Sequence, residues 1–259
     1  MFEVKILVFC DESNLEFIAR NTQDSECRFV IAHNRPAAQH LATRLGLDFA
    51  IHHRNDSPRL PDFVSSMSSF RADWIYCSSY GLRIPKLILD SARLGAINFH
   101  GGLLPEWRGA NILNWVLIEG CSTTGVTAHW MTPEIDEGPI ILKQAVEIDD
   151  VDTALTLANK LKTIKQQMFL RILQETKLEV PLAKIPQDVS KARYFKRRRP
   201  EDGLINWNKS DREIYNLIRA LVHPWPGAFT IQPNGEKVFF KNLVPLLNIA
   251  ELRERYNTD

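Results

Sequence analysis

The stretch Asn98-Phe99-His100-Gly101-Gly102-Leu103-Leu104-Pro105-Glu106-Trp107-Arg108-Gly109 is the densest run of residues able to do chemistry in this chain. An imidazole that titrates near neutrality can move a proton, and a carboxamide can donate hydrogen bonds to a developing charge. On a strand, residues i and i+2 share a face. Asn98 and His100 therefore project together, with Phe99 turned into the core. Gly101-Gly102 lets the backbone turn sharply and leaves room for a ligand. The same Asn-x-His pair also reads as two satisfied polar groups at a strand end. Glu134-Ile135-Asp136-Glu137-Gly138 lies between two extended runs, and taken alone it is an acidic turn.

The elements that must position these residues are legible as short periodic runs. Strands are expected at Val4–Cys10, Cys27–Ala32, Trp74–Cys77 and Gly95–His100. Helices are expected from Ser13 as cap to about Ala19, at Ala37–Leu45 with Gly46 as stop, at Phe63–Phe70 and at Pro85–Ala92, where Pro stands in the first turn. Alternation of this kind predicts an α/β fold with a Rossmann-like, mostly parallel sheet. Ligands of such sheets sit beyond the carboxyl ends of the strands, where Asn98 and His100 fall. A helix at about Ala110–Glu119 follows, then two extended runs that could pair, Gly125–Trp130 and Pro139–Ile148, and a long helix over Thr153–Thr176. Pro181–Gly203 reads as irregular. A helix capped by Ser210 runs to Leu221, and Asn234-Gly235 marks a hairpin between Gly227–Ile231 and Lys237–Lys241. The expected division is a catalytic domain over 1–185 and a small C-terminal α+β appendage with a hairpin over 186–259.

Composition narrows the function classes. The 259 residues are 44% apolar, enough for a sizeable core. With 32 Lys+Arg against 31 Asp+Glu, a formal net charge of +1 offers no long-range attraction to nucleic acid or an anionic membrane. No apolar run approaches the roughly 20 residues of a membrane span, and the start Met1-Phe2-Glu3 lacks the pattern of a signal peptide. Four scattered Cys without a C-x-x-C pair argue against a zinc ribbon or a disulfide scaffold. The expectation is a cytoplasmic protein with reduced thiols and no metal.

Taken together, the motifs resemble the folate-dependent formyltransferase family. Its pattern Asn-x-His-x-x-Leu-Leu-Pro-x-x-Arg-Gly is complete over residues 98–109. Thr124-Gly125-Val126-Thr127 and Asp136-Glu137-Gly138 match the next two segments, with 36 residues between His100 and Asp136, about the family's interval. Pro200-x-Asp202-Gly203-x-Ile205-x-Trp207, Ile218-Arg219-Ala220 and Pro224-Trp225-Pro226-Gly227-Ala228-Phe229 are similar to its later segments. The resemblance implies the formyltransferase fold, N10-formyltetrahydrofolate as donor, an amine acceptor and no metal. It also implies roles: His100 as general acid/base, Asn98 as donor to the carbonyl oxygen, and Asp136 as support for His100. Formyl transfer passes through a tetrahedral intermediate, which fits a preorganised amide donor and a base near neutral pKa. A carboxylate beside the His is expected to raise its pKa and fix its tautomer.

For the pterin, the resemblance implies loop main chain at Leu82-Arg83-Ile84 and at Thr132-Pro133-Glu134-Ile135-Asp136, although Leu82 and Ile84 also read as core. There are departures. Several relatives have Ser where Gly102 stands, some have a second Arg where Ala110 stands, and Phe9-Cys10-Asp11 replaces a Gly-rich turn.

The acceptor separates three classes: a nucleotide-linked amino sugar, methionyl-tRNA and a small amine such as glycinamide ribonucleotide. The tRNA enzymes carry a basic insertion after the second strand and a complete barrel. Here one Arg and no Lys lie in 33–43, and about thirty residues follow Phe229. The Pro-Trp-Pro-Gly-Ala-Phe segment sets the chain apart from the glycinamide enzymes. The resemblance therefore runs closest to nucleotide-sugar N-formyltransferases acting on 4-amino sugars for surface polysaccharide such as O-antigen. Candidate acceptor contacts are Arg198 from the basic run Lys196–Arg199, for a diphosphate, and Trp207, Trp225 and Phe229, for a nucleobase. A solvated turn and core packing are the other readings. Expected partners are folate and the nucleotide sugar, with no nucleic acid and no membrane, and a homodimer left open. A folate or nucleotide-sugar binder without turnover is the reading from another class.

Overall fold

The computed structural model describes residues 4–256; Met1, Phe2 and Glu3 lie outside them, and so does the signal-peptide expectation placed there. The chain runs β1 (Lys5–Cys10), α1 (Glu12–Asn21), β2 (Glu26–Ala32), α2 (Pro36–Arg44), β3 (Phe49–His52), α3 (Leu60–Ser69), β4 (Trp74–Ser78), α4 (Lys86–Leu89) and β5 (Gly95–His100). It continues through β6 (Arg108–Gly109), α5 (Ile112–Ile118), β7 (Thr123–Trp130), β8 (Ile140–Glu147) and α6 (Ala154–Lys177). The C-terminal part adds β9 (Tyr194–Phe195), α7 (Asp211–Ala220), β10 (Ala228–Ile231), β11 (Lys237–Phe240) and α8 (Ile249–Tyr256).

The seven-stranded sheet has the order β3-β2-β1-β4-β5-β7-β8. The first five strands are parallel, and β7 and β8 run antiparallel at the other edge. After Lys5, β1 is apolar from Ile6 to Cys10, in keeping with a strand covered on both faces. Ile6 and Val8 pack with Leu15 and Ile18 of α1 and with the wider core that includes α6, whereas Leu7 and Phe9 pack with Phe63 and Met67 of α3. In β5, Ile97 and Phe99 enter the α6 side, where Phe99 meets Phe169 with ring centroids 5.8 Å apart. Asn98 and His100 take the opposite parity. The strand order reverses between β1 and β4, which opens a crevice at their carboxyl ends.

Several boundaries differ from expectation for local reasons. Asp11 caps α1 in place of Ser13, accepting from the Ser13 N–H at 3.1 Å. β3 was not foreseen; its four residues pair with β2 at the sheet edge. α4 ends at Leu89 because residues 93 and 94 must return to the sheet, bonding the carbonyls of Ala72 and Asp73. α5 begins after Asn111, whose φ of 57° is left-handed. The stretch 181–203 is largely irregular but contains β9, which pairs in parallel with β6. α8 was also missed. Thr153 and Ser210 cap α6 and α7, each in a reciprocal capping box.

The C-terminal residues do not build a core apart from the rest. Ile205, Trp207, Ile214 and Ile218 share one apolar cluster with Trp107, Ile112 and Val116 around α5 and with Leu157 of α6. No helix among the described residues is long and apolar enough to cross a membrane.

Candidate active site

β5 delivers Asn98 and His100 to the crevice, and the antiparallel register of β7 places His129 opposite Asn98 and Thr127 opposite His100. The turn between β7 and β8 then carries Asp136 over the end of β5. Its φ of 59° is left-handed, a conformation Asp tolerates better than most residues. His100 Nδ1 lies 3.5 Å from Asp136 Oδ2, and the Gly109 N–H donates to the same oxygen at 2.8 Å. Asn98 Nδ2 donates to Asp136 Oδ1 at 3.4 Å. The amide, the imidazole and the carboxylate thus meet in one place. His100 and Asp136 are each 8% exposed.

Carbonyl partners set both tautomers. His129 Nδ1 lies 2.8 Å from the Trp130 carbonyl, so it carries the proton and donates. Its bare Nε2 accepts from Asn98 Nδ2 at 3.1 Å, which orients the carboxamide. His100 Nε2 donates to the Trp107 carbonyl at 2.6 Å, so a second ring proton would enter on Nδ1, facing Asp136.

The electrostatics correct one expectation. Burial pushes the His100 pKa down; Asp136 pushes it back up without fully offsetting burial, and His129 and Lys165 add to the downward side. The net direction is below the ordinary His value, where a carboxylate neighbour alone suggested a raised one. For Asp136, burial pushes up but is outweighed by His100, His129 and the Gly109 N–H, which hold it at about 2. It is a carboxylate at neutral pH.

The two loops expected to face the pterin are adjacent. Arg83 Nη2 donates to the Pro133 carbonyl at 2.8 Å, tying Leu82-Arg83-Ile84 to the Thr132–Asp136 turn. Ile84 is buried in the core, Leu82 is half-buried, and Glu134 and Ile135 are exposed. Among the described residues no group of three or more His, Cys, Asp or Glu is arranged to hold a metal ion.

The expected acceptor contacts are not gathered here. Trp207 and Phe229 are 6% and 4% exposed. The Trp207 indole N–H is spent on Thr230 Oγ1, so these two rings are core, which corrects the stacking role. Trp225 is half-buried against the same cluster. Arg198 lies over the Trp115 ring and donates through Nη2 to the Asp202 carbonyl, while its buried Nε has no partner among the described residues.

Residues not foreseen from the sequence include His129, Gln187 and Lys165. A His at the end of a strand two residues past Thr127 was the available signal for the first. Lys165 projects from α6 to the Ser79 hydroxyl at 3.1 Å, and its Nζ lies 3.5 Å from where a Cβ on Gly101 would stand.

Gly102 explains a departure from the resembling sequences. A Cβ there would lie 2.8 Å from Ile112 Cγ2 and 3.0 Å from both Trp107 Cβ and His100 Nε2. Space here is closed by Ile112 and Trp107, so a serine has no room. Gly102→Ser should cost about 1–3 kcal/mol as overpacking, read as a lower thermal midpoint. An unchanged midpoint would mean that the pocket relaxes freely.

With fold and site in place, comparison with known proteins assigns the class. The formyl transferase family model matches residues 3–173, and the model for the formyl transferase C-terminal domain matches residues 197–252. The chain belongs to the formyl transferase family. It is similar in fold to a 4-N formyltransferase from Francisella tularensis (TM-score 0.78, 19% identity, 94% of this chain and 98% of that one). It is likewise similar to a sugar N-formyltransferase from Shewanella sp FDAARGOS_354 (TM-score 0.76, 20% identity, 95% and 99%). An N-formyltransferase from Helicobacter canadensis, solved with folinic acid and dTDP-3-aminofucose, matches at TM-score 0.64 and 18% identity, with 86% and 81% covered.

Proposed function

We propose that this enzyme transfers a formyl group from N10-formyltetrahydrofolate to the amino group of a nucleotide-linked 4-amino-4,6-dideoxy sugar, in the cytoplasm, for surface polysaccharide such as O-antigen. The observation that carries the reading is the convergence of Asn98, His100 and Asp136 at the carboxyl end of β5 in a formyl transferase fold. In this reading residues 1–185 hold the catalytic machinery and 186–259 form the smaller unit.

The neutral amine attacks the formyl carbon, and a C–N bond forms as the carbonyl electrons move to oxygen. One Asn98 N–H stays on His129, and the other gives up its long 3.4 Å bond to Asp136 to meet that oxygen. His100 takes the amine proton and returns a proton to the folate nitrogen as the second C–N bond breaks. For this, Nε2 leaves the Trp107 carbonyl and the ring proton moves to Nδ1, where it donates to Asp136, so that a bare Nε2 faces the amine. The main chain of 82–84 and 132–136 would hold the pterin. Support for a sugar acceptor comes from the names of the similar structures and from Lys165. Its ammonium donates to the Ser79 hydroxyl, burial lowers its pKa, and no carboxylate is paired to it among the described residues; a phosphate would replace that hydroxyl as its partner.

The test is a panel of nucleotide-linked amino sugars, methionyl-tRNA and glycinamide ribonucleotide, with folate release followed optically. The expected result is turnover of a 4-amino sugar nucleotide and only weak turnover of the other two. Formylation of methionyl-tRNA at a matching rate would overturn the acceptor. Binding without turnover across the whole panel would favour the non-catalytic reading.

A further inference from the structure

Residues 185–195 cross the outside of the site as a strap. One end is anchored on β8 by reciprocal bonds between Ile185 and Ile140 at 2.7 and 3.0 Å. The other end is β9, bonded to the 108–110 segment through Arg108 N to Arg193 O and Ala110 N to Phe195 O, both 3.0 Å. Between the anchors, Gln187 turns inward. Its Nε2 donates to the carbonyls of Asp136 and Gly138, both at 2.8 Å. Its Oε1 accepts from Arg108 Nε at 3.1 Å and Nη2 at 2.8 Å. All four hydrogen-bonding positions of the amide are used. Arg108 is 3% exposed, and its remaining nitrogen donates to Tyr194 Oη at 2.8 Å and lies 3.4 Å from Glu137.

The amide therefore clamps the turn at the carbonyl of Asp136, a residue held at positive φ, and again two residues further on. The carboxylate itself is pinned by Gly109, whose own backbone is fixed by the strap. A left-handed non-glycine residue persists where its surroundings over-determine it, and here the strap supplies that constraint. Residue 187 lies between the two matched family segments.

We propose that Gln187 is a positioning residue: through the Asp136 and Gly138 carbonyls it sets the distance and direction of the Asp136 carboxylate to His100. The proposal rests on the reading of Asp136 as the partner of a catalytic His100. The charged and titratable groups facing His100 are Asp136 from the turn, His129 from β7 and Lys165 from α6. Only Asp136 among these is held by Gln187.

Two variants test this. Gln187→Met removes donors and acceptor alike. Gln187→Glu keeps an acceptor for the buried Arg108, so it protects folding, but cannot donate to the two carbonyls. In both, kcat should fall about tenfold while the acceptor KM stays within about twofold, the pattern of a misplaced catalytic group. Exchange of the Gly109 amide, which donates to Asp136, should quicken about tenfold while that of Ile75 in β4 is unmoved. In Gln187→Met the pH limb of His100 should move to lower pH, because the carboxylate's upward influence weakens. Parental kcat and parental Gly109 exchange in Gln187→Glu would overturn the proposal, whether or not Gln187→Met folds. A parent inactive on every acceptor would instead sink the functional reading, and Gly109 exchange would still decide whether Gln187 holds Asp136.

Discussion

His100→Asn is expected to lower kcat about 10²–10⁴-fold, with nucleotide-sugar affinity nearly unchanged. The loss is large because no neighbour can replace the imidazole. Asp136 is ionised with its pKa held at about 2, too weak a base to take a proton from an amine at neutral pH. His129 has one nitrogen committed to the Trp130 carbonyl and the other to Asn98. Lys165 is occupied with Ser79 on the other side of Gly101. Affinity is spared because His100 meets only the reacting amine and is buried behind the crevice. Steady-state kinetics beside calorimetric binding of the nucleotide sugar measures both. Turnover within a few-fold of the parent would remove His100 from the mechanism.

The second large effect is at Asp136. Asp136→Asn should fold, melt within a few degrees of the parent and lose most activity. Asn accepts the left-handed φ as readily as Asp, and Gln187 grips main-chain carbonyls that the substitution leaves in place. What changes is the side chain. The carboxylate accepts from Gly109 through one oxygen and from Asn98 through the other. An amide has one oxygen, so one of these donors would face an NH₂ group. The sign of the pH effect follows from the directions above. Burial already depresses the His100 pKa and the carboxylate opposes that; without it the pKa falls further. The His100 limb of the pH–rate profile therefore moves to lower pH. Stability carries a matching signature. A carboxyl held at about 2 against an ordinary value of 3.8 stabilises the fold above about pH 3.8, and that contribution fades as pH falls towards 2. The variant should lack this acid-dependent component in denaturant titrations at pH 2–5. Full activity with an unmoved profile would leave Asp136 a turn residue and Asn98 and His100 in need of another partner.

Where function is carried by residues close together in the chain, the sequence alone was informative. Gly95–His100 reads as a strand from its run of small and apolar residues and is one in the structure, with matching ends. Period-two alternation alone puts Asn98 and His100 on one face. The cap at Ser210 and the hairpin around Asn234-Gly235 are equally local, each spanning four residues or so. Asp136 was reachable through motif order, because one turn joins two runs that had to pair.

Other features depend on parts of the chain that no local signal connects. His129 reaches Asn98 only through the antiparallel register of β5 and β7, and a side-chain period of two means that a one-residue slip would point it away. Gln187 lies in a stretch without periodicity, and its role exists only because the strap is anchored on β8 and β6. Trp207 and Phe229 are open to either stacking or packing in the sequence; the close approach of α5, α7 and the hairpin decides for packing at Trp207, and Phe229 is buried beside Phe239 within the hairpin. The direction of the His100 pKa is likewise a tertiary property. Sequence spacing indicates the one carboxylate that raises it, whereas the burial that lowers it comes from Trp107, Ile112, α6 and β7 closing around the ring, and in this fold burial outweighs the carboxylate.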